Sequence, residues 1–84
     1  MYIVMCADKT LYTGYTTDPE RRVGEHNKGI GSRYTRARRP VELAFLEERS
    51  SRESALRREV EIKRLDKSGK LLLCRKYRSR EGLS

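Results

Sequence analysis

Residues 2–6 and 10–15 are two short runs of strand-forming residues on either side of a polar Ala7-Asp8-Lys9 turn. A chain that opens this way is committed to an antiparallel hairpin. Asp18-Pro19 then starts a helix, with Asp as N-cap and Pro in the first turn, that runs to Lys28 and stops at Gly29. Residues 29–40 carry Gly29, Gly31 and Pro40 and read as an irregular loop. Residues 41–48 alternate Val41, Leu43 and Phe45 toward one side, as a third strand does. Ser50-Ser51-Arg52-Glu53 fits a capping box that opens a second helix through about Leu65. Ser68-Gly69 breaks the chain, and residues 70–76 form a short third helix. The order β-β-α-β-α(-α) predicts a small α+β domain over residues 1–76, a three-stranded, mainly antiparallel sheet flanked by two to three helices. Residues 77–84, Tyr77 included, read as a solvated, frayed basic tail.

Composition narrows the function. An 84-residue chain has room for one domain with a thin core. Its 20 Lys+Arg against 12 Asp+Glu give a net charge of +8, which points to a polyanionic partner, most simply nucleic acid. A basic membrane-surface protein would need a long amphipathic helix with bulky apolar residues, and none is visible. The longest apolar run, residues 1–7, is too short to span a bilayer, and with no basic segment before it and an acid after it, it is no signal peptide. Two cysteines, Cys6 and Cys74, with one histidine cannot build a zinc finger, and no disulfide is required, which suits a reducing cytoplasm.

Two helices carry polar residues where apolar ones are expected. The first has one bulky apolar residue, Val23, while Arg22 and His26 share a face as an i, i+4 pair. That face is either simply solvated or turned toward a polar site. On the second helix Ala55, Glu59 and Ile62 project within roughly 60° of one another, so Glu59 falls inside the apolar arc. Arg58 lies there too, but its long stem carries the charge out to water. A carboxylate so placed must be paired, protonated or bound to a cation, and an ion pair with an arginine such as Arg58 is the plain structural answer. Tyr2 and Tyr12 fall on paired strands and put two phenols on one side of the sheet. Two phenols, an arginine, a histidine and one acid are what metal-assisted phosphodiester cleavage needs. The acid holds a divalent cation, a phenol or bound water supplies the base, and the arginine meets the charge growing on the phosphate.

These residues resemble a known family. Tyr2-Ile3-Val4, Tyr12-Thr13-Gly14, Arg22, His26 and Glu59 together resemble the GIY-YIG nuclease superfamily, and most nearly its small stand-alone bacterial members. Leu11-Tyr12-Thr13-Gly14-Tyr15-Thr16-Thr17-Asp18 with Arg21-Arg22 and Glu25-His26-Asn27 is similar to the central signature, as is Tyr34-Thr35-Arg36 followed by Arg39-Pro40. Glu59 followed by Ile62-Lys63 and Leu65 is similar to the acidic helix. The resemblance covers about residues 1–73. It implies that Glu59 binds one Mg²⁺ or Mn²⁺ and that Arg22 contacts the scissile phosphate. It also implies that Tyr2 and Tyr12 position or deprotonate the attacking water, that His26 supports the site, and that Gly14 lets the backbone turn close to the phosphate. The implied reaction is in-line hydrolysis of DNA with no covalent intermediate. The sequence departs from the family pattern in having only Met1 before Tyr2, and in lacking the Asn that some larger relatives place after the acidic helix.

Between Glu25 and Glu42 there is no acid, yet Lys28, Arg33, Arg36, Arg38 and Arg39 lie there with Tyr34 among them. Such a segment suits phosphate contacts and base stacking, with a merely solvated loop as the competing reading. Five phosphate contacts would give a slope of log K against log salt of about −3.5 to −4.5. Lys63, one turn after Glu59, reaches a phosphate or covers apolar surface with its stem. The expected partner is DNA, with RNA not excluded, and the expected sequence preference is weak, since nothing resembles a major-groove recognition helix. Branched, flapped, single-stranded and duplex DNA all stay open, in repair, recombination or restriction. Nothing calls for a haem or nucleotide cofactor, and the oligomeric state is open. The alternatives are an inactive nucleic-acid-binding module of the same fold, and a generic RNA- or ribosome-associated basic protein.

Overall fold

The hairpin turn is closed by its own polar groups. Cys6 N–H donates to Thr10 O at 2.8 Å, Lys9 N–H to Cys6 O at 2.9 Å, and Asp8 accepts from both the backbone and hydroxyl of Thr10. Lys9 takes the positive φ, 69°, that so tight a reversal needs. In the computed structural model, which describes residues 1–80, this turn joins β1 (Tyr2–Met5) to β2 (Leu11–Gly14). β3 (Glu42–Leu46) pairs antiparallel with the other edge of β1, so the sheet order is β2-β1-β3. The central strand is therefore hydrogen-bonded along both edges, and Tyr2, Ile3 and Val4 are all buried.

Successive residues of β1 face opposite layers. Met1 and Ile3 join Phe45, Ile62 and Cys74 in one apolar cluster, with Leu73 and Tyr77 packed against it. Tyr2, Val4 and Cys6 join Val41 in the other, with Tyr12, Val23 and Tyr34 alongside. The first layer is covered by α3 (Arg52–Lys63) and α4 (Lys67–Arg80), the second by α1 (Pro19–Lys28) and a one-turn α2 (Arg33–Arg36). The architecture is thus β-β-α-α-β-α-α, an α+β fold around a three-stranded antiparallel sheet. No helix among the described residues is long and apolar enough to cross a membrane.

Helix α1 begins and ends as its sequence predicts. Asp18 accepts from Arg21 N–H at 3.2 Å, and Gly29 closes the helix at φ 85°. Five expectations change. The stretch read as irregular, residues 29–40, contains α2, because Ser32 caps it by accepting from Thr35 N–H at 3.2 Å. Val41 and Phe45 do not share a face: a bulge between Ile3 and Val4 pairs Phe45 with Ile3 but Leu43 with Val4, which reverses the alternation along β3 and leaves Leu43 exposed. The cap of α3 is Ser51, bonding Ser54 N–H at 3.1 Å, one residue later than a Ser50–Glu53 capping box would place it. Ser68-Gly69 does not break the chain, because Asp66 accepts from Gly69 N–H at 2.9 Å and starts α4 there. α4 is consequently longer than residues 70–76. Tyr77 belongs to it and meets the Phe45 ring edge-on at 6.0 Å rather than lying in a frayed tail; residues 81–84 lie outside the described residues.

The start of β1 is anchored. The Met1 ammonium donates to Glu47 O at 3.0 Å, Glu47 N–H returns a bond to Met1 O at 3.0 Å, and Met1 is itself buried.

Candidate active site

Tyr2 stands at the middle of the sheet and Gly14 lies opposite it on β2. A Cβ at Gly14 would sit 2.5 Å from the Tyr2 hydroxyl oxygen, so the glycine is there to admit the phenol. The hydroxyl reaches α1, where it lies 2.9 Å from His26 Nε2. His26 is 0% exposed, and its Nδ1 lies 2.6 Å from Thr35 Oγ1. Thr35 Oγ1 in turn meets Ser32 Oγ at 2.9 Å and Ser32 O at 3.4 Å.

Donor counting allows one consistent proton arrangement. Ser32 O only accepts, so Thr35 can give it a hydroxyl proton and take one from His26 Nδ1–H. That leaves Nε2 bare to accept from the Tyr2 hydroxyl. Burial, and next the Arg22 charge, hold the imidazole below its ordinary range, which favours this neutral form. Burial also raises the Tyr2 phenol above its ordinary value, although the Arg22 guanidinium beside it pulls the other way. In this arrangement Tyr2 is the donor and His26 Nε2 the acceptor.

Arg22, one turn before His26, is held by two contacts. Its Nη2 donates to Gly31 O at 2.9 Å and its Nη1 pairs with Glu25 Oε1 at 3.2 Å. A guanidinium has five N–H donors, and the Tyr2 phenol also lies within its reach. Tyr12, on the same sheet face as Tyr2, meets the His26 ring at 5.3 Å edge-on and stacks on Tyr34 at 5.9 Å. Arg38 lies over the Tyr34 ring, its Cζ 3.9 Å from the ring centre. Tyr2, Tyr12, Arg22 and His26, chosen from the sequence as a group, are thus brought together from β1, β2 and α1.

Glu59 comes from the other layer, on α3. The buried centre of that helix, Ala55 and Ile62, matches the apolar arc read from the sequence, but Leu56 on its flank is exposed. The Glu59 side chain is 17% exposed, and its partner is Lys63, Oε1 to Nζ 3.5 Å, not Arg58. Arg58 pairs instead with Glu47 at 3.1 Å and Glu61 at 3.8 Å. Glu59 reaches the phenol cluster through its charge, which helps to raise the Tyr2 pKa. Among the described residues no three His, Cys, Asp or Glu side chains gather to chelate a metal. The donor set is one hard carboxylate, and this fits a cation that keeps most of its water shell, as Mg²⁺ does.

The basic segment divides. Lys28, Arg33, Arg36 and Arg39 are exposed. Arg38 is not available in the same way: its Nε lies 3.1 Å from Asp8 Oδ2, close enough to pair though not aligned as a hydrogen bond, and its Nη1 donates to Tyr34 O at 2.9 Å. The acid that captures it comes from the hairpin turn, thirty residues away in sequence. Tyr34 is correspondingly half-buried, with both Tyr12 and Arg38 against its ring.

Sequence reasoning missed four contributors. Thr35 and Ser32 orient His26, and their signal was the Ser-x-x-Thr cap spacing. Gly31 packs so closely on the His26 ring that a Cβ there would collide with Nδ1. Asn27 clasps the start of β3, accepting from Val41 N–H at 2.7 Å and donating to Val41 O at 3.1 Å, which ties α1 to the sheet.

A buried Tyr–His pair lies beside an arginine on a three-stranded antiparallel sheet, with an acid on the opposite helix layer, and the family this chain matches implies a nuclease-type fold. The chain belongs to the GIY-YIG family, matching its catalytic domain over residues 1–73. It is similar to small stand-alone UPF0213 proteins: 54% identical over 70 residues to that of Natronomonas pharaonis, covering 83% of this chain and 82% of the relative. Against that of Streptococcus agalactiae it is 43% identical over 81 residues, 96% and 92% of the two chains. The solution NMR structure of a UPF0213 protein from Bacillus halodurans superposes with a TM-score of 0.54 at 44% identity, covering 86% of this chain and 77% of that one.

Proposed function

We propose that this chain is a DNA endonuclease that hydrolyses phosphodiester bonds with one divalent cation, Mg²⁺ or Mn²⁺, held by Glu59. The observation that carries this reading is the buried Tyr2–His26 bond of 2.9 Å beside the Arg22 guanidinium. A neutral imidazole that accepts from a phenol makes the pair a proton relay. The attacking water gives a proton to the Tyr2 oxygen while the Tyr2 proton moves to His26 Nε2. The water oxygen bonds to phosphorus, the bond to the leaving sugar oxygen breaks, and solvent protonates that oxygen. No phenolate need exist beforehand, which suits a phenol that burial holds protonated. Arg22 faces the charge that grows on the phosphoryl oxygens, and Tyr12 borders the attacking water. A bound cation supplies Lewis-acid polarisation of the phosphate, with Lys63 released from Glu59 to a neighbouring phosphate. Lys28, Arg33, Arg36 and Arg39 grip the backbone with little sequence preference, which fits a structure-selective role in repair or recombination.

The test is a panel of labelled branched, single-stranded and duplex DNA with Mg²⁺ or Mn²⁺ and an EDTA control. The expected result is metal-dependent nicking that Glu59→Ala abolishes while the fold and the DNA affinity persist. Equal cutting by Glu59→Ala and wild type would remove Glu59 from the chemistry. Binding without cutting on every substrate would reduce the chain to a nucleic-acid-binding module.

A further inference from the structure

Ile30 is the most exposed large apolar side chain described, at 69% against 48% for Val60 and Leu72. Its backbone is nevertheless fixed. Gly29 closes α1 at φ 85°, Ile30 N–H donates to Glu25 O at 3.0 Å, and Arg22 grips Gly31 O at 2.9 Å. Gly31 is pressed on the His26 ring, and Ser32 then caps α2. Every neighbour of Ile30 is thus tied to the cluster that surrounds Tyr2, and only the branched side chain faces water. An apolar group held out rigidly gains free energy only when something covers it.

Its surroundings identify the cover. Lys28, Arg33, Arg36 and Arg39 are exposed on the same segment, which is where the nuclease reading puts the phosphates of a polyanion. An apolar tip among phosphate contacts meets sugars and bases. Isoleucine is one of the side chains that DNA-bending proteins insert between base pairs. The Ile30 Cα is about 3.8 Å from that of Gly31, whose carbonyl Arg22 holds, so the base step it meets adjoins the phosphate that Arg22 faces. We infer that Ile30 is a wedge that enters the base stack beside the bond being cut, and that the substrate class is DNA with a base step that opens. This rests on the nuclease reading and adds to it a base contact that the reaction itself does not require.

The test uses duplexes carrying 2-aminopurine at successive positions around the mapped cleavage site, titrated in EDTA with wild type, Ile30→Leu and Ile30→Ser. At saturation, wild type and Ile30→Leu should raise fluorescence at one or two adjacent positions. Ile30→Ser should lose that rise and bind roughly tenfold more weakly, with an unchanged salt slope. An equal rise with Ile30→Ser would overturn the wedge and leave the nuclease reading standing. Failure of wild type to bind DNA would overturn both. The three chains should unfold at the same temperature, and a lower midpoint for Ile30→Ser would make the residue structural instead.

Discussion

Tyr2 and Ile3 are neighbours on one strand, both fully buried, and they face chemically opposite surroundings. Ile3 meets Met1, Phe45, Ile62 and Cys74, contacts that have no direction and hold the fold by area alone. Tyr2 faces the layer in which His26, Thr35 and Ser32 form a chain of hydrogen bonds, each atom with a named partner. The difference shows how a thin domain divides its work. One face of the sheet carries stability and tolerates imprecision, whereas the other keeps polar groups aligned, where a single missing atom is felt twice.

The largest effect should come from Tyr2→Phe, which conserves volume but removes the hydroxyl. Leaving His26 Nε2 without its partner should cost about 1–3 kcal/mol in urea unfolding. Cleavage should slow by about 10²- to 10⁴-fold in the same preparation. Ile62→Ala strikes the other face. It should lower stability by about 2–5 kcal/mol by the same unfolding measurement, with the rate per folded molecule unchanged. If both variants lost rate and stability in parallel, the two faces would not be distinct.

Acid should sharpen the contrast. Folded His26 is held below the value near 6.5 that it has in the unfolded chain, so between those values the unfolded state binds more protons. Stability is therefore full above about pH 6.5 and declines as pH falls through the lowered folded value. Cleavage should fall over the same lowered range, since a protonated imidazole cannot accept from Tyr2, and an acid limb above pH 6.5 would contradict the assignment. The smallest effect separates two arginines of the basic segment. Arg36→Ala should make the log K against log salt slope shallower by about 0.7–0.9, whereas Arg38→Ala, already neutralised by Asp8, should leave it unchanged.

Local chemistry was legible in the sequence. The hairpin turn and the Asp18-Pro19 start and Gly29 end of α1 follow from nearby residues, while the grouping of Tyr2, Tyr12, Arg22 and His26 came from the strand pairing, the helix face and the family resemblance. Glu59 was found because it interrupts an apolar arc. What could not be read depends on partners far along the chain. The bulge opposite Ile3 and Val4 that separates Val41 from Phe45 is a property of two paired strands, not of either one. Arg38 counted as a free cation until Asp8 came beside it, and Lys63 proved to be the partner of Glu59 because Glu47 and Glu61 had taken Arg58. Ser68-Gly69 signalled a break, yet one carboxylate, Asp66, was enough to turn it into a helix start.

The central claim is that Tyr2 and His26 act as one proton relay in phosphodiester cleavage. Single-turnover rates for wild type, Tyr2→Phe, His26→Gln and the double variant, at saturating DNA and Mg²⁺, test it most directly. If the pair acts as one relay, the double variant is no slower than the slower single variant. Losses that multiply would mean that the two side chains act independently, and would contradict it.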